Sequence, residues 1–207
     1  MYLRIFDEPM KNMKPYQKKS KDQSFELLDL IKNRFSPRAF ARQPISEDHT
    51  HVLLESARWA PSSMNMQPWR FLYAYQGEKS FELMVDSLME GNKPWAKKAS
   101  LLILTMIIPV TESGEENHYA LHDLGLAMGQ LSIQAEALSI GIHQMGGFSK
   151  QRAIELLGLP SELIPVTINA LGYYGDPSTL KEPFQSRETS VRNRLDLSQI
   201  SFHQKIS

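Results

Sequence analysis

Two arginines and a serine lie close together in an acid-free stretch near the start of the chain. The sequence RFSPR places Arg34 and Arg38 on either side of Ser36, and no Asp or Glu occurs between Leu30 and Ser46. Planar guanidinium groups and a hydroxyl match the acceptor oxygens of a phosphate monoester. Basic loops are also common on protein surfaces, so these residues alone allow either a phosphate site or an ordinary surface loop.

A second polar cluster lies in the loop 61–68, which begins and ends with proline. Asn65 and Gln67 stand two residues apart, beside the hydroxyls of Ser62 and Ser63. Each amide offers both a donor and an acceptor. The pyrimidine edge of a flavin, an N–H between two carbonyls, requires that mixture. The alternative is a hydrogen-bonded turn between two prolines.

The segment HQMGGFS contains the pair Gly146 and Gly147 before a serine suited to cap a helix. Missing side chains let backbone N–H groups approach a ligand and stabilise negative charge on it, although a plain turn is equally compatible with the residues. The chain contains no G-x-G-x-x-G, Walker A or G-x-S-x-G sequence. Dinucleotide-fold, P-loop and serine-hydrolase interpretations therefore lose their main support.

The spacing of the histidines and the lack of cysteine argue against a metal centre. His118 and His122 are four residues apart and Asp123 follows, but Tyr119 stands where a zinc protease carries glutamate, and no third ligand is evident. The chain has no cysteine, which excludes disulfides, a cysteine nucleophile and cysteine-ligated clusters. We therefore predict no metal site, and the lack of cysteine fits a cytoplasmic protein.

Composition indicates an ordinary globular chain. There are 23 basic and 23 acidic residues, a net charge of 0, so no overall field draws the protein to nucleic acid or to an anionic membrane. The longest apolar run, residues 101–110, is too short to span a bilayer, and the N-terminus lacks a secretory apolar segment. We predict no nucleic-acid partner and no membrane association.

The elements that must position these residues follow from apolar spacing and capping. We expect a lysine-rich solvated arm over residues 1–22 and one α+β domain over 23–207. The helix over 118–140 is apolar on more than one face, which predicts burial or an interface. The other expected elements are a helix capped by Ser24 that ends near Asn33, a helix capped by Ser46, strand 69–75, helix 78–89, strand 101–108, a helix from Ser149 to Leu157 and strand 166–174.

Five segments, taken in order, resemble the nitroreductase family of FMN-dependent oxidoreductases. They are RFSPRAF, PISEDHTHVLLESARWAPSSMNMQPWRFLYA, GNKPWAKKASLLILT, GIHQMGGF and VRNRLDLSQI, and together they extend over residues 24–200. APSSMNMQPWRF is the most specific of them. The resemblance implies a nitroreductase-like α+β fold with a central, mostly antiparallel sheet flanked by helices. It also implies an interlocked homodimer with FMN at the interface and a C-terminal tail that wraps the partner.

The resemblance also assigns FMN-binding roles to matching positions. The phosphate and ribityl end would contact the first arginine cluster together with C-terminal arginines, and the ring would contact the glycine pair and an asparagine. In one subunit these residues are Arg34, Ser36, Arg38, Asn92, Gly146, Gly147, Arg192 and Arg194; from the other subunit come Pro61, Ser62, Ser63, Asn65 and Gln67.

The activity implied by the resemblance is a ping-pong reaction in which NADH or NADPH passes a hydride to FMN N5 and a nitroaromatic, quinone or similar small molecule then accepts the electrons. No catalytic acid or base is expected, because the flavin carries the chemistry. Two features depart from some relatives: Gly146 replaces an acid and Trp95 replaces a lysine. The alternatives are another branch of the fold, catalysing reductive dehalogenation or consuming flavin, and a non-catalytic FMN-binding dimer.

Overall fold

A four-stranded antiparallel sheet with helices on both faces forms the body of the protein. The computed structural model describes Lys14, Lys18, Lys19 and residues 25–206. The strands are β1 (Trp69–Tyr75), β2 (Leu101–Ile107), β3 (Ile140–Met145) and β4 (Ile164–Tyr173), arranged in the order β1-β2-β4-β3. The helices are α1 (Asp29–Asn33), α2 (Glu47–Arg58), α3 (Lys79–Ser87), α4 (Lys93–Ala96), α5 (Ala120–Ala137), α6 (Lys150–Leu157) and α7 (Phe184–Thr189).

Strand β2 lies in the centre and is buried along its whole length. Because successive side chains of a strand point to opposite faces, its residues divide between two cores. Leu102 and Leu104 pack in the core beneath α3 and α6, whereas Leu101 and Ile103 pack in the core beneath α2 and α5. The predicted α+β class with an antiparallel sheet is therefore confirmed.

Two predicted helix caps are present. The Ser46 hydroxyl accepts a hydrogen bond from the backbone N–H of His49 at 3.2 Å, and the Ser149 hydroxyl accepts one from Arg152 N–H at 3.2 Å. Each bond satisfies an N–H group that the first helical turn leaves without a partner. The predicted bounds of β1 and of α6 also agree with the structure.

The predicted helix over 118–140 is wrong at its C-terminal end. Helix α5 stops at Ala137, Ser139 adopts a left-handed φ of 57°, and Ile140 begins strand β3. Gly141, which directly follows the predicted helix, pairs with Gly172 of β4. A Cβ on Gly141 would lie 2.3 Å from Cγ of Pro37, so this glycine is required by packing rather than by a helix end.

The first helix is also shorter than the sequence predicts. Helix α1 has five residues, none of them buried, and Leu28 precedes it with its side chain exposed. Ser24, the expected cap, lies outside the described residues. The predicted apolar residues Leu27, Leu28 and Ile31 are all exposed among the residues that the structure describes.

None of the helices in the described part of the chain is long and apolar enough to cross a membrane.

Candidate functional site

A buried carboxylate holds the backbone of the RFSPR loop. Both oxygens of Glu188 accept hydrogen bonds from Arg38 N–H at 3.0 Å, and one also accepts from Ala39 N–H at 3.2 Å. The Arg38 guanidinium lies 3.9 Å from the same carboxylate, and Glu188 is only 1% exposed. Glu188 therefore fixes the main chain at Arg38 and balances part of its charge.

Arg192 holds the other end of the loop. One terminal nitrogen donates to the carbonyl of Arg34 at 2.5 Å, and the second donates to the carbonyl of Lys32. Burial lowers the pKa of Arg192, and the positive charges of Arg194 and Arg34 lower it further. The structure thus brings Arg34, Arg192 and Arg194 into one positively charged cluster. They are three of the four predicted phosphate-binding arginines, and Arg192 also braces the loop.

Strand β3 supports the loop from below. His143 Nδ1 forms a 3.0 Å hydrogen bond with the carbonyl of Pro37, and its ring lies 4.4 Å from that of Trp95. Burial, aided by the charge of Arg38, lowers the pKa of His143 to about 4. The imidazole is therefore neutral at physiological pH, and Nδ1 donates its proton to the carbonyl. The Arg38 guanidinium lies over the ring of Trp95, 5.7 Å from its centroid.

Asn92 and Gly147 form a second contact region. Asn92 Nδ2 donates to the carbonyl of Gly147 at 3.1 Å, and Met89 N–H donates to the same carbonyl at 3.0 Å. A Cβ on Gly147 would lie 2.9 Å from Asn92 Nδ2, so a side chain there would disturb the amide. Gly146 is exposed, and a Cβ there would meet nothing within 4 Å. The predicted glycine pair thus combines one packed and one open position.

The polar loop 61–68 has an unusual backbone. Met64, Asn65 and Gln67 have φ values of 49°, 56° and 47°, in the left-handed region that non-glycine residues seldom adopt. Ser62 Oγ accepts a hydrogen bond from Gln67 N–H at 3.0 Å, and Gln67 Nε2 donates to the carbonyl of Asn65 at 3.0 Å. A non-glycine residue in this region stores about 1 kcal/mol or more of strain, so the backbone of this loop is strained.

The same loop is attached to helix α5 of its own chain. Ser63 N–H donates to the Asp123 carboxylate at 3.1 Å, and Asp123 is buried. By contrast, Arg192 contacts the RFSPR loop and Asn92 contacts Gly147. The contacts of one chain therefore assemble the predicted residues into separate groups, the loop 61–68 being one of them.

Several residues that contact the site were not predicted from the sequence. Glu188 and His143 contact the RFSPR loop from distant parts of the chain, and neither stands in a local pattern that predicts this role. The solvated character expected of the lysine-rich arm is wrong at Lys14 and Lys18. Lys14 bonds to the buried Glu136, and Lys18 donates to carbonyls at the end of α7.

Histidine and carboxylate pairs exist but do not build a metal centre in the described residues. His122 Nδ1 lies 3.3 Å from a carboxylate oxygen of Asp123, and His118 lies 3.6 Å from Glu116. No group of three or more potential ligands forms within the part of the chain that the structure covers.

Known proteins resemble this chain over most of its length. A crystal structure described as an oxidoreductase containing FMN superimposes with a TM-score of 0.85 at 33% identity, covering 90% of this chain and 96% of that one. The FMN reductase (NAD(P)H) of Bacillus subtilis strain 168 is 24% identical over 75% of this chain and 69% of its own length. The iodotyrosine deiodinase of Thermotoga neapolitana is 28% identical over 80% of this chain and 96% of its own length.

The sequence model of one family matches residues 31–173, which contain the RFSPR loop, the loop 61–68, Asn92 and the glycine pair. This match covers well over half of the chain, and it includes the whole antiparallel sheet. The chain belongs to the nitroreductase family.

Proposed function

We propose that this protein is an FMN-dependent oxidoreductase that uses NADH or NADPH to reduce nitroaromatics, quinones or similar electrophiles. The observation that carries the proposal is the braced, acid-free RFSPR loop with its cluster of arginines. The charges of Arg34 and Arg194 lower the pKa of Arg192, and Glu136 opposes them only in part, so positive charge remains in excess at this cluster. A phosphate dianion would relieve this repulsion, because its oxygens accept charge-assisted hydrogen bonds from guanidinium groups.

The donor set fits FMN at both ends. Arg34, Ser36, Arg38 and Arg194 would bind the phosphate, and Arg192 would add charge through the N–H groups that it does not use to hold the loop. Asn92 would contact the ring edge, with Gly146 and Gly147 supplying close backbone approach. The open space at Gly146 is what a flat ring system needs, since no side chain intrudes there.

The ring would be completed by the loop 61–68 of a second subunit, contributing Pro61, Ser62, Ser63, Asn65 and Gln67. Within its own chain this loop is anchored on α5, and its exposed tip carries Met64 and Asn65 in strained conformations. Strain of this kind persists where the surroundings hold it and commonly marks a ligand or partner contact. We therefore place each FMN at the interface of a homodimer.

Exposed apolar side chains support the dimer. Leu28 and Trp59 are each 72% exposed, and exposed apolar surface indicates an interface where it forms a contiguous patch. A groove of about 770 Å³ runs between α1, α2 and α5, and it is lined largely by apolar residues. Two glycines on α5 leave room along it for a partner helix, because a Cβ at Gly125 or Gly129 would meet nothing within 4 Å. The tail adds exposed Leu195, Leu197, Ile200 and Phe202.

When bound, FMN would accept electrons from the nicotinamide and pass them to the second substrate. The chain's own residues would position the cofactor and balance its charge. His143 is neutral and donates its Nδ1 proton to Pro37, so it orients the loop and does not act as an acid. The absence of a carboxylate at Gly146 leaves only backbone groups beside the ring at that point.

The purified protein tests the proposal directly. We expect flavin absorption bands, release of FMN on denaturation, and steady NADH or NADPH oxidation when a quinone is added. Arg34→Ala should weaken FMN by about 1.5 to 3 kcal/mol, the worth of a charged hydrogen bond, and leave riboflavin binding nearly unchanged. Equal loss for both ligands would refute the phosphate assignment. Bound FMN without turnover would favour the non-catalytic alternative.

The cross-subunit arrangement has its own test. One chain carries Arg34→Ala and Arg38→Ala, and the other carries Asn65→Ala and Gln67→Ala. In a mixed dimer, both lesions fall on one site and the second site is intact. Confirmed heterodimers should recover about half of the wild-type quinone reductase activity if each lost contact costs about 1 to 3 kcal/mol in the homodimers. Heterodimers without activity would show that the loop serves its own subunit's FMN.

Reductive dehalogenation is the second candidate, supported by the similarity to the Thermotoga deiodinase. A substrate lid for it would be sought between Thr111 and His118. That segment is a tight hairpin: Thr111 N–H donates to Glu115 O at 2.7 Å, and Val110 pairs with Glu116. The compact turn favours a reductase with an open site. Halide release from an iodinated phenol, measured beside quinone reduction, separates the two activities.

A further inference from the structure

The N-terminal lysines contact the residues that brace the RFSPR loop. This inference rests on the proposed FMN site and extends it to a part of the chain for which sequence analysis found no role. Lys14 Nζ donates a hydrogen bond to Oε1 of Glu136, a residue of α5 that lies 122 positions later in the chain. The lysine side chain is 15% exposed and the carboxylate 5% exposed, so the ion pair is largely shielded from water.

Lys14 also contacts the loop itself. Its ammonium group donates to the carbonyl of Asn33 at 3.3 Å and lies 4.2 Å from the centroid of the Tyr174 ring. It lies 5.7 Å from the ring centroid of Phe35, inside the RFSPR sequence. Arg192 grips the neighbouring carbonyls, those of Lys32 and Arg34. Two cationic side chains therefore hold three consecutive carbonyls at the start of the loop.

Glu136, the acidic partner of Lys14, is also held by a second donor. Tyr174 OH donates to the second oxygen of Glu136 at 2.7 Å, so each carboxylate oxygen has its own partner. Without Lys14, Glu136 would remain a buried charge with one neutral donor. Breaking a buried pair from one side is far more costly than never forming it, because the remaining charge stays desolvated. The neighbouring loop would have to move, or Glu136 would attract one of the arginines.

Lys18 and Lys19, two further residues of the N-terminal arm, contact Glu188 and Arg192. Lys18 donates to the carbonyls of Arg187, at 3.0 Å, and of Glu188, at the C-terminal end of α7. The carbonyl of Lys19 accepts the backbone N–H of Arg192 at 2.9 Å. Lys18 and Lys19 therefore contact the backbones of Glu188 and Arg192, the two residues whose side chains hold the loop.

We propose that Lys14 is a positioning residue of the FMN phosphate site: by neutralising Glu136 and holding the Asn33 carbonyl, it keeps Arg34 and Arg192 available to the phosphate. Lys14 itself would not touch the phosphate. Its loss would let Glu136 draw Arg192 away, since that carboxylate already acts electrostatically on the arginine. The cost should therefore fall on the phosphate and not on the ring.

The test compares FMN with riboflavin, which has the same ring and no phosphate, by fluorescence titration of cofactor-free protein. Lys14→Met should weaken FMN about tenfold, or about 1.4 kcal/mol, and riboflavin less than about twofold. Lys14→Met combined with Glu136→Gln removes the orphaned charge and should recover FMN affinity to within about threefold of wild type. Lys79→Met, at an exposed lysine of α3, is the matched control and should bind both ligands normally.

The outcomes are distinguishable. Equal weakening of FMN and riboflavin, unchanged affinity for FMN, or no recovery in the double variant would each overturn the positioning role while leaving the cofactor assignment intact. Wild-type protein that binds neither ligand would overturn the proposed function, and this inference with it. Should Lys14→Met fail to fold, Glu136→Gln tests the same mechanism from the other side: with no carboxylate to draw Arg192 away, FMN should bind within about threefold of wild type, and a selective loss of FMN would overturn the positioning role.

Discussion

Replacing Glu188 with alanine should destabilise the protein strongly, because this buried carboxylate satisfies two backbone donors. Arg38 N–H and Ala39 N–H bond to it at 3.0 and 3.2 Å. A buried donor without a partner costs about 1 to 3 kcal/mol, so two of them give a loss of about 2 to 6 kcal/mol. Domains of this kind are stable by only about 5 to 15 kcal/mol, so the substitution removes a large share of the total.

Urea unfolding of the cofactor-free protein measures this loss. Glu188→Ala should lower the unfolding midpoint with little change in the slope. Glu188→Gln should fall between alanine and wild type, since an amide keeps one acceptor oxygen but presents an N–H₂ group to the second backbone donor. Glu162→Ala, at an exposed glutamate before β4, is the control and should change stability by less than about 0.5 kcal/mol.

Two results would contradict this reasoning. If Glu188→Ala is as stable as the control, the two N–H groups find other partners and the carboxylate is not what holds the loop. If Glu188→Gln is as damaging as alanine, the negative charge beside Arg38 matters more than the hydrogen-bond count.

Three further predictions concern the same region. The pKa of His143 is about 4 when folded against 6.5 ordinarily, so the unfolded chain binds more protons between these values. Stability should be full above pH 6.5 and fall by up to about 3 kcal/mol toward pH 4, a slope that His143→Asn reduces in urea unfolding at several pH values. Gly141→Ala places a Cβ 2.3 Å from Pro37 Cγ and should lower stability by about 2 to 3 kcal/mol, visible as a lower melting temperature. Gly147→Ala should disturb Asn92, 2.9 Å from the new Cβ, and weaken riboflavin and FMN alike by about 1 to 3 kcal/mol in fluorescence titration; selective loss of FMN alone would contradict the placement of Asn92 at the ring.

The elements that the sequence predicts well are those with a local cause. Ser46 and Ser149 precede helices that they cap, and β1 is a run rich in the aromatic residues that favour strands, so neighbouring residues suffice. The boundary between α5 and β3 has no such cause. Apolar residues continue across it, and the reversal occurs at Ser139, a residue without special left-handed preference. Only the pairing of β3 with β4 decides where the helix ends.

The residues of the site also divide into those that a short stretch of sequence indicates and those that it does not. Arg34 and Arg38 could be singled out because they stand together without acids nearby, which is visible in a short window. Their supports could not be found, because Glu188 acts across 150 positions, His143 across 106 and Lys14 across 122. Such contacts depend on how strands and termini meet, and a single sequence carries no record of that meeting. The family resemblance alone implied that Asn92 and the two glycines serve the same ring, and the hydrogen bond between Asn92 and Gly147 was not predicted.

The distance along the chain between the RFSPR loop and Glu188 has a consequence for biosynthesis. At translation rates of about 5 to 20 residues per second, about 8 to 30 s separate the synthesis of Arg38 from that of the carboxylate 150 positions later. During that interval, the nascent loop has neither its buried acceptor nor the brace from Arg192. Growing chains on the ribosome therefore cannot complete the arginine cluster until residue 194 has been synthesised.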